Sequence, residues 1–207
     1  MKKQTGFTLI ELVVVVVILG LLAVTAIPKY LDLTDQAQQA NIEGMAGGFA
    51  TAISLARAQW EAEGRPNNGT DNLVNYDGTV LMLTNENNST GSGSIRPGYV
   101  VGLTDGSNLD GDFDESNCVE IWQNILQQPP IVSAAIADVN DEDLNIQYFV
   151  DTATGGNAGN SICVYYLRET LNRDNNGDFV SPNGQDSVGN NFSYDPSNSS
   201  VAITINN

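Results

Sequence analysis

The sequence predicts an α+β fold, in which one long N-terminal helix packs on a C-terminal antiparallel β-sheet domain. Two observations lead to this prediction. A mostly apolar segment over residues 7–27 is followed by apolar residues at spacings of three and four, which is typical of a continuous helix. Beyond Gly64, short apolar runs alternate with Asn, Asp, Gly and Ser, which is typical of strands joined by turns.

The apolar segment is long enough to cross a membrane. Residues 7–27 number 21, and a helix of that length spans about 30 Å of hydrocarbon. Lys2 and Lys3 precede the segment and favour a cytoplasmic N-terminus. No later segment is comparably long and apolar, so we expect a single span.

Three interpretations of this segment compete. A secretory signal peptide would carry small residues at a cleavage site behind the apolar block, where Thr25 and Ala26 imitate one only weakly. An ordinary membrane anchor explains the length but not Glu11, because a carboxylate at membrane depth costs several kcal/mol unless it is paired. A functional role for Glu11 is the third interpretation.

The second half of the predicted helix is amphipathic and is expected to pack on its own domain. The helix should run over residues 8–63 and end at Gly64. Its apolar stripe consists of Ile42, Met45, Ala46, Phe49, Ile53, Ala56 and Trp60.

Five strands and one short helix are predicted in the remaining chain. Asn117 and Glu120 have the spacing of a capping box for a helix that continues to Gln128 and ends before two prolines. The predicted strands, which suggest one antiparallel sheet, are residues 79–84, 99–103, 144–150, 161–167 and 200–205.

Composition excludes several classes of function. Lys and Arg total 8 against 25 Asp and Glu, so the formal net charge of −17 argues against a nucleic-acid partner. The chain has no histidine, which removes Ser-His-Asp and Cys-His catalysis and most zinc sites. We therefore expect that this protein is not an enzyme and has no catalytic residues, since catalysis here would have to use carboxylates alone.

The string Lys-Lys-Gln-Thr-Gly-Phe-Thr-Leu-Ile-Glu-Leu over residues 2–12 resembles the class III signal of type IV pilins and type II secretion pseudopilins. In that family a prepilin peptidase cuts after the glycine, the new N-terminal residue is N-methylated, and the glutamate is kept for assembly. The resemblance therefore implies cleavage after Gly6, methylation of Phe7, and assembly through Glu11. The amine of a cleaved Phe7 and the carboxylate of Glu11 on a neighbouring subunit could neutralise each other, which would fix the register of a fibre.

The resemblance also implies the pilin fold and its domain organisation. Gly20 and Pro28 weaken a helix, so we expect the stretch between them to lose helix inside a fibre. The expected segments are a leader peptide at residues 1–6, a transmembrane and assembly half of the helix at 7–28, an amphipathic half at 29–63, and a globular periplasmic or extracellular domain with a disulfide loop at 64–207.

The implied function is that of a structural subunit, held in the inner membrane and then polymerised with copies of itself into an extracellular fibre for adhesion or motility. Its implied partners are prepilin peptidase and the pilus assembly machinery. The segment from Ala23 to Tyr30, Ala-Val-Thr-Ala-Ile-Pro-Lys-Tyr, looks most like mannose-sensitive haemagglutinin-type pilins. The alternatives are a type II secretion pseudopilin and, in another class, a membrane-tethered calcium-dependent binding module that does not polymerise.

Cys118 and Cys163 are the only cysteines, and both lie in the part expected outside the inner membrane. An even count in an oxidising compartment favours a disulfide, while two buried free thiols are the alternative. The family resemblance agrees, since many type IV pilins join a C-terminal loop in this way.

We expect no cofactor, although two acidic clusters are candidate calcium ligands. Alternating oxygen side chains in a turn-rich loop resemble the first ligands of a calcium loop. Neither loop has both the sixth-position Gly and the twelfth-position Glu of such a loop, so we favour solvated acidic loops and keep calcium as the alternative. The clusters are Asp110, Asp112 and Asp114, and Asp174, Asn176 and Asp178.

Overall fold

A computed structural model of the chain describes residues 7–85, 95–103, 109, 113–155 and 160–206. The chain forms two compact units, which divide between Gln39 and Ala40. Helix α1, Leu9–Ala62, contributes residues to both units. The predicted α+β fold and its long N-terminal helix are confirmed, with the helix one residue shorter at each end than expected.

In the first unit, α1 is exposed along its length. The large apolar side chains from Leu9 to Leu33 all face solvent, as does Phe7 just before the helix, and the helix is long and apolar enough to cross a membrane. Pro28 lies inside the helix, where it supplies no N–H to the carbonyl of Val24 one turn earlier. The backbone nevertheless remains helical through this position.

In the second unit, α1 buries one apolar stripe. The expected stripe is confirmed, except that Met45 is only partly buried and Ala52 joins the buried set. Such a stripe at helical spacing stabilises the helix chiefly through packing, since each large apolar side chain contributes about 1.5–3 kcal/mol when buried. The buried residues of the helix are Ile42, Ala46, Phe49, Ala52, Ile53, Ala56 and Trp60.

The described strands of this unit form two sheets. One is an antiparallel sheet in the order β1-β2-β3, with β1 at Asn72–Tyr76, β2 at Thr79–Leu83 and β3 at Val100–Gly102. The other has the order β4-β5-β6-β7-β8, with β4 at Val132–Ser133, β5 at Tyr148–Thr154, β6 at Ser161–Leu167, β7 at Asn191–Asp195 and β8 at Ser200–Thr204.

Short helices lie between the strands. The α-helices are α2 at Glu115–Ile125 and α3 at Ile136–Asn140, and the 3₁₀ turns are Glu142–Leu144 and Arg168–Thr170. The disulfide-bearing helix α2 lies between β3 and β4 in the chain and packs against β3 and β5.

The prediction of a single antiparallel sheet was wrong, because the described strands form two sheets and β4 pairs with β5 in parallel. The strand expected at residues 144–150 was also misplaced. Leu144 ends a 3₁₀ turn, Asn145 adopts a left-handed φ of 50°, and the strand itself starts at Tyr148 and continues to Thr154. Three strands, β1, β4 and β7, were not predicted.

The capping box expected at Asn117 and Glu120 was placed three residues too late. Helix α2 starts with Asp114 as its N-cap, whose carboxylate accepts a hydrogen bond from the Ser116 N–H at 2.8 Å. The Asn117 side chain completes the box by accepting from the Asp114 N–H at 3.0 Å. The helix ends at Ile125, earlier than the expected Gln128.

Phe49 of α1 is the centre of the aromatic core. Its ring lies 5.2–5.4 Å from the rings of Tyr165, Phe192 and Tyr194, and 6.3 Å from Trp122. Burial raises the pKa of both Tyr165 and Tyr194 well above that of a solvated phenol. Both hydroxyls are satisfied, because that of Tyr165 donates to the Cys118 carbonyl at 2.8 Å and that of Tyr194 to the Val100 carbonyl at 3.0 Å.

Candidate assembly site at the start of the helix

Glu11 lies in the first turn of α1 and completes the N-terminal cap of that helix. Its Oε2 accepts hydrogen bonds from the Thr8 N–H at 2.9 Å and from the Thr8 hydroxyl at 2.7 Å. In return the Glu11 N–H donates to the Thr8 hydroxyl oxygen at 3.3 Å. This reciprocal exchange is a capping box, which satisfies backbone N–H groups that have no partner within the helix.

The capping box fixes where the carboxylate points. A glutamate in the first turn also interacts favourably with the positive end of the helix dipole. The negative charge is therefore held at the end of the helix where Phe7 lies. Apart from this carboxylate, the described part of α1 carries no ionisable side chain before Lys29.

Phe7, the expected methylation site, precedes this capped turn and is 88% exposed. Gly6, the expected cleavage site, lies outside the described residues. Cleavage between them would leave an amine one residue before Thr8, close in sequence to the Glu11 carboxylate. Both maturation steps stay predictions.

Gly20 and Pro28 lie in the same exposed part of the helix. A Cβ added at Gly20 would meet none of the described residues within 4 Å, so no contact with them requires glycine there. The Thr25 hydroxyl donates to the Leu22 carbonyl at 2.9 Å, which is a local hydrogen bond typical of Ser and Thr in apolar helices. The loss of helix between Gly20 and Pro28 concerns the fibre, and it stays a prediction.

The predicted disulfide is present. Cys118 of α2 and Cys163 of β6 are bonded, with their Cα atoms 5.6 Å apart and both side chains fully buried. The bond closes a loop of 45 residues that contains β4, α3 and β5. It therefore joins a helix to the central strand of the five-stranded sheet.

The two candidate calcium clusters differ in what the structure describes. Asp110 and Asp112 lie outside the described residues, and Asp114 serves as the N-cap of α2. In the second cluster, Asp174 Oδ1 accepts from the N–H groups of Asn176 and Asp178 at 2.8 and 3.0 Å.

These hydrogen bonds, first the one from Asn176 and then the one from Asp178, lower the pKa of Asp174. Within the described residues, no group of three or more acidic or cysteine side chains is arranged to hold a metal ion. Calcium binding stays the untested alternative for both clusters.

Sequence reasoning missed Thr8. The pattern Thr8-Leu9-Ile10-Glu11 has the spacing of a capping box and stands directly before an apolar run, so the signal was present. Because a charge at membrane depth is costly, Glu11 was assigned a partner in another subunit. The hydrogen bonds between Glu11 and Thr8, three residues earlier, were not predicted.

The first 27 residues match the family model described as the prokaryotic N-terminal methylation motif. Among curated proteins, the chain is 49% identical over 64 residues to "Type IV narrow pilus major component PilA5" of Thermus thermophilus, covering 31% of this chain and 53% of that protein. It is 37% identical over 99 residues to a "Fimbrial protein" of Moraxella nonliquefaciens, covering 46% of this chain and 64% of that protein.

A longer match extends into the globular unit. The chain is 31% identical over 124 residues to "Type IV major fimbrial protein FimA" of Dichelobacter nodosus, covering 59% of this chain and 80% of that protein. The two relatives above are matched over only 53% and 64% of their length. No solved structure gives a significant match. With its methylation motif, capped apolar helix and this extended similarity, the chain belongs to the type IV pilin family.

Proposed function

We propose that this protein is a structural subunit of a type IV pilus, polymerised with copies of itself into an extracellular fibre. The observation that carries the proposal is Glu11, a carboxylate on an otherwise apolar and exposed stretch of helix directly behind a methylation motif. In a helix that only anchors the protein in the membrane, this charge would cost several kcal/mol of burial in lipid with no compensating interaction. The names of the relatives, which describe pilus and fimbrial components, support the same function.

Maturation precedes assembly in this proposal. The subunit is inserted in the inner membrane by its apolar segment, and prepilin peptidase removes residues 1–6 and methylates Phe7. Residues 7–28 then serve as the membrane and assembly half of the helix, residues 29–63 as its amphipathic half, and residues 64–207 as the domain outside the membrane. The assembly machinery extracts the matured subunit from the membrane into the growing fibre.

Charge pairing sets the register of the fibre. Before assembly, Glu11 Oε2 is held by the two hydrogen bonds from Thr8. In the fibre, the Phe7 amine of a neighbouring subunit pairs with the same carboxylate. Because an unpaired charge in an apolar fibre core is costly, only the register that joins these groups is stable.

The segment from Ala23 to Tyr30 supports a narrower assignment to the mannose-sensitive haemagglutinin type. Adhesion or motility is the role that follows for such a fibre. The strongly acidic domain favours contact with surfaces that are not themselves polyanionic, since like charges repel.

The test is the variant Glu11→Ala in the producing bacterium, with Glu43→Ala as its matched control. Glu43 lies on the same helix in the globular unit and is exposed, so its replacement removes an equal charge. We expect Glu11→Ala to remain membrane-inserted but to lose most surface fibres, whereas Glu43→Ala keeps them. Fibre protein sheared from the cells and membrane-fraction protein are measured by immunoblot.

Three results would overturn the proposal. Equal fibre yield from both variants would remove the assembly role of Glu11. A type II secretion pseudopilin would be indicated instead if the protein without substitutions is found only in the membrane fraction. In that case short fibres appear only on overproduction, and deletion of the gene abolishes secretion. Membrane-bound protein without fibres or a secretion defect would assign a tethered binding module.

A further inference from the structure

The globular unit contains a cavity of about 550 Å³ beside the start of α2. Glu115 and Ser116 of α2 line one wall, Asp151 and Thr152 of β5 line another, and the loop that carries Ser181 closes a third. All of these residues belong to one compact unit. A volume in this range is typical of pockets that bind small organic ligands.

Hydrogen bonds hold two carboxylates in the wall of this cavity. The Thr152 hydroxyl donates to Glu115 Oε1, and the Thr152 N–H donates to Asp151 Oδ1 at 2.9 Å. Asp151 Oδ2 accepts from the Gly184 N–H at 2.9 Å. The two donors to Asp151 are backbone N–H groups of β5 and of the loop after β6, whereas Glu115 is held by the side chain of Thr152.

The loop is held against β5 by close backbone contact. Gly184 has a φ of +70°, and a Cβ added there would lie 2.4 Å from the Thr152 carbonyl oxygen. Only glycine permits this approach. The wall of the cavity is therefore formed by the fold and needs no ligand to assemble it.

Among the described residues, neither carboxylate has a cationic partner at ion-pair distance. The ion pairs of the described residues join Lys29 to Asp32 and both Arg57 and Arg65 to Glu61, and none of them includes Glu115 or Asp151. Burial raises the pKa of Asp151, and the nearby charge of Glu115 raises it further. A positive group in the cavity would offset the repulsion between the two carboxylates.

The size and remaining lining of the cavity indicate what kind of cation fits. Within the described residues, no third acidic or cysteine side chain joins these two carboxylates to hold a metal ion. Ala134, Ile136 and Phe149 contribute apolar surface beside the carboxylates. We propose that this cavity binds an organic cation, an ammonium group on an apolar or sugar stem, with Glu115 and Asp151 as its anionic anchors.

Two sources can supply this chemistry, a lysine side chain of a partner protein and a free amino sugar. The probes are Nα-acetyl-lysine methylamide and glucosamine, and their uncharged counterparts are Nα-acetyl-norleucine methylamide and N-acetylglucosamine. Each is titrated into the ¹⁵N-labelled full chain in detergent micelles while the amide signals of Ser116, Thr152 and Gly184 are followed. Comparison within each pair decides the charge requirement in the unaltered chain, so the test does not depend on a variant folding.

We expect at least one charged probe to shift these signals, and the probe that does so identifies the source. Glu115→Gln keeps an acceptor for the Thr152 hydroxyl and should weaken binding about tenfold, as expected for the loss of a charge-assisted contact. Glu142→Gln removes an equal charge from an exposed 3₁₀ turn and should bind as the unaltered chain does.

No shift with either charged probe up to about 20 mM would overturn the proposal, since millimolar binding would be visible there. Equal shifts with the uncharged counterparts, or equal affinity of the Glu115→Gln and Glu142→Gln variants, would overturn it as well.

Discussion

Thr8 donates two hydrogen bonds to one oxygen of Glu11, from its N–H at 2.9 Å and from its hydroxyl at 2.7 Å. The carboxylate proposed to select a neighbouring subunit is thus the same group that completes the start of the helix. Assembly has to add the Phe7 amine of another subunit to this arrangement or exchange the Thr8 bonds for it. Thr8 is therefore a positioning residue for the proposed inter-subunit charge pair.

Replacement of Thr8 by alanine should loosen the first turn of α1. The variant loses the hydroxyl that donates to Glu11 and accepts from the Glu11 N–H, a loss that costs about 1 kcal/mol at typical helix caps. We expect amide hydrogen exchange at Glu11 to become about fivefold faster in the full chain in detergent. Thr8→Ser retains the hydroxyl and should exchange at the original rate.

Equal exchange at Glu11 in the Thr8→Ala variant and in the unaltered chain would show that the hydroxyl does not cap the helix. The cap would then consist only of the hydrogen bond from the Thr8 N–H to Glu11. In that case the Thr8→Ser and Thr8→Ala variants would exchange at the same rate.

The mature protein should begin at N-methylated Phe7. This expectation rests on the methylation motif over residues 1–27 and on Gly6 at the expected cut. Intact-mass analysis of protein sheared from the cell surface measures it directly, and Gly6→Ala, which leaves the rest of the leader unchanged, should block processing. A mature chain that begins at Met1, or beyond Ile27, would contradict the class III interpretation.

Removal of the disulfide should destabilise the globular unit. The bond between Cys118 and Cys163 closes 45 residues, and loss of a native disulfide costs about 2–5 kcal/mol in small exported domains. We expect a lower melting temperature for the Cys118→Ala, Cys163→Ala double variant, measured by circular dichroism. The chemically reduced protein is the control, and it should have the same melting temperature as the double variant.

Alkylation in denaturant without reductant provides a separate check on the disulfide. The mass of the exported protein should stay unchanged, because neither sulfur is free. The addition of two alkyl groups would mean that the cysteines are free thiols.

Calcium should not stabilise the globular unit specifically. Asp174 already accepts hydrogen bonds from its own loop, and Asp114 caps α2, so these carboxylates have partners without a cation. We expect identical melting curves of the full chain in chelator, calcium and magnesium at constant ionic strength. A rise with calcium alone, abolished by Asp112→Asn or Asp178→Asn, would instead establish a site, since a ligand at about a hundred times its Kd adds about 2.7 kcal/mol.

Those parts of the fold that depend on hydrophobic periodicity were predictable from the sequence. The stripe from Ile42 to Trp60 was predicted because helical spacing repeats over five turns, and β6 was predicted with its true bounds because Ser161–Leu167 is a compact apolar run. The disulfide followed from the even cysteine count and the family resemblance. The motif at Gly6, Phe7 and Glu11 was predictable because it is contiguous in the chain.

Features that depend on distant pairing were not predictable. Strand β7, Asn191–Asp195, is polar in composition, and its place in the sheet is set by neighbours β6 and β8 on either side. The cavity beside α2 joins Glu115 to Asp151, which are far apart in the chain and carry no shared motif. Such a site becomes visible only when tertiary packing brings its walls together.

The central claim is that this chain builds a fibre, and negative-stain imaging with mass-spectrometric identification of the main fibre component tests it most directly. The producing bacterium is imaged with the gene intact, deleted and restored, and the sheared fibres are digested and sequenced. We expect abundant surface fibres whose main component is this chain from Phe7 onward, absent on deletion and restored with the gene. Fibres that persist on deletion, or whose main component is another protein while this chain stays in the membrane, would contradict the account.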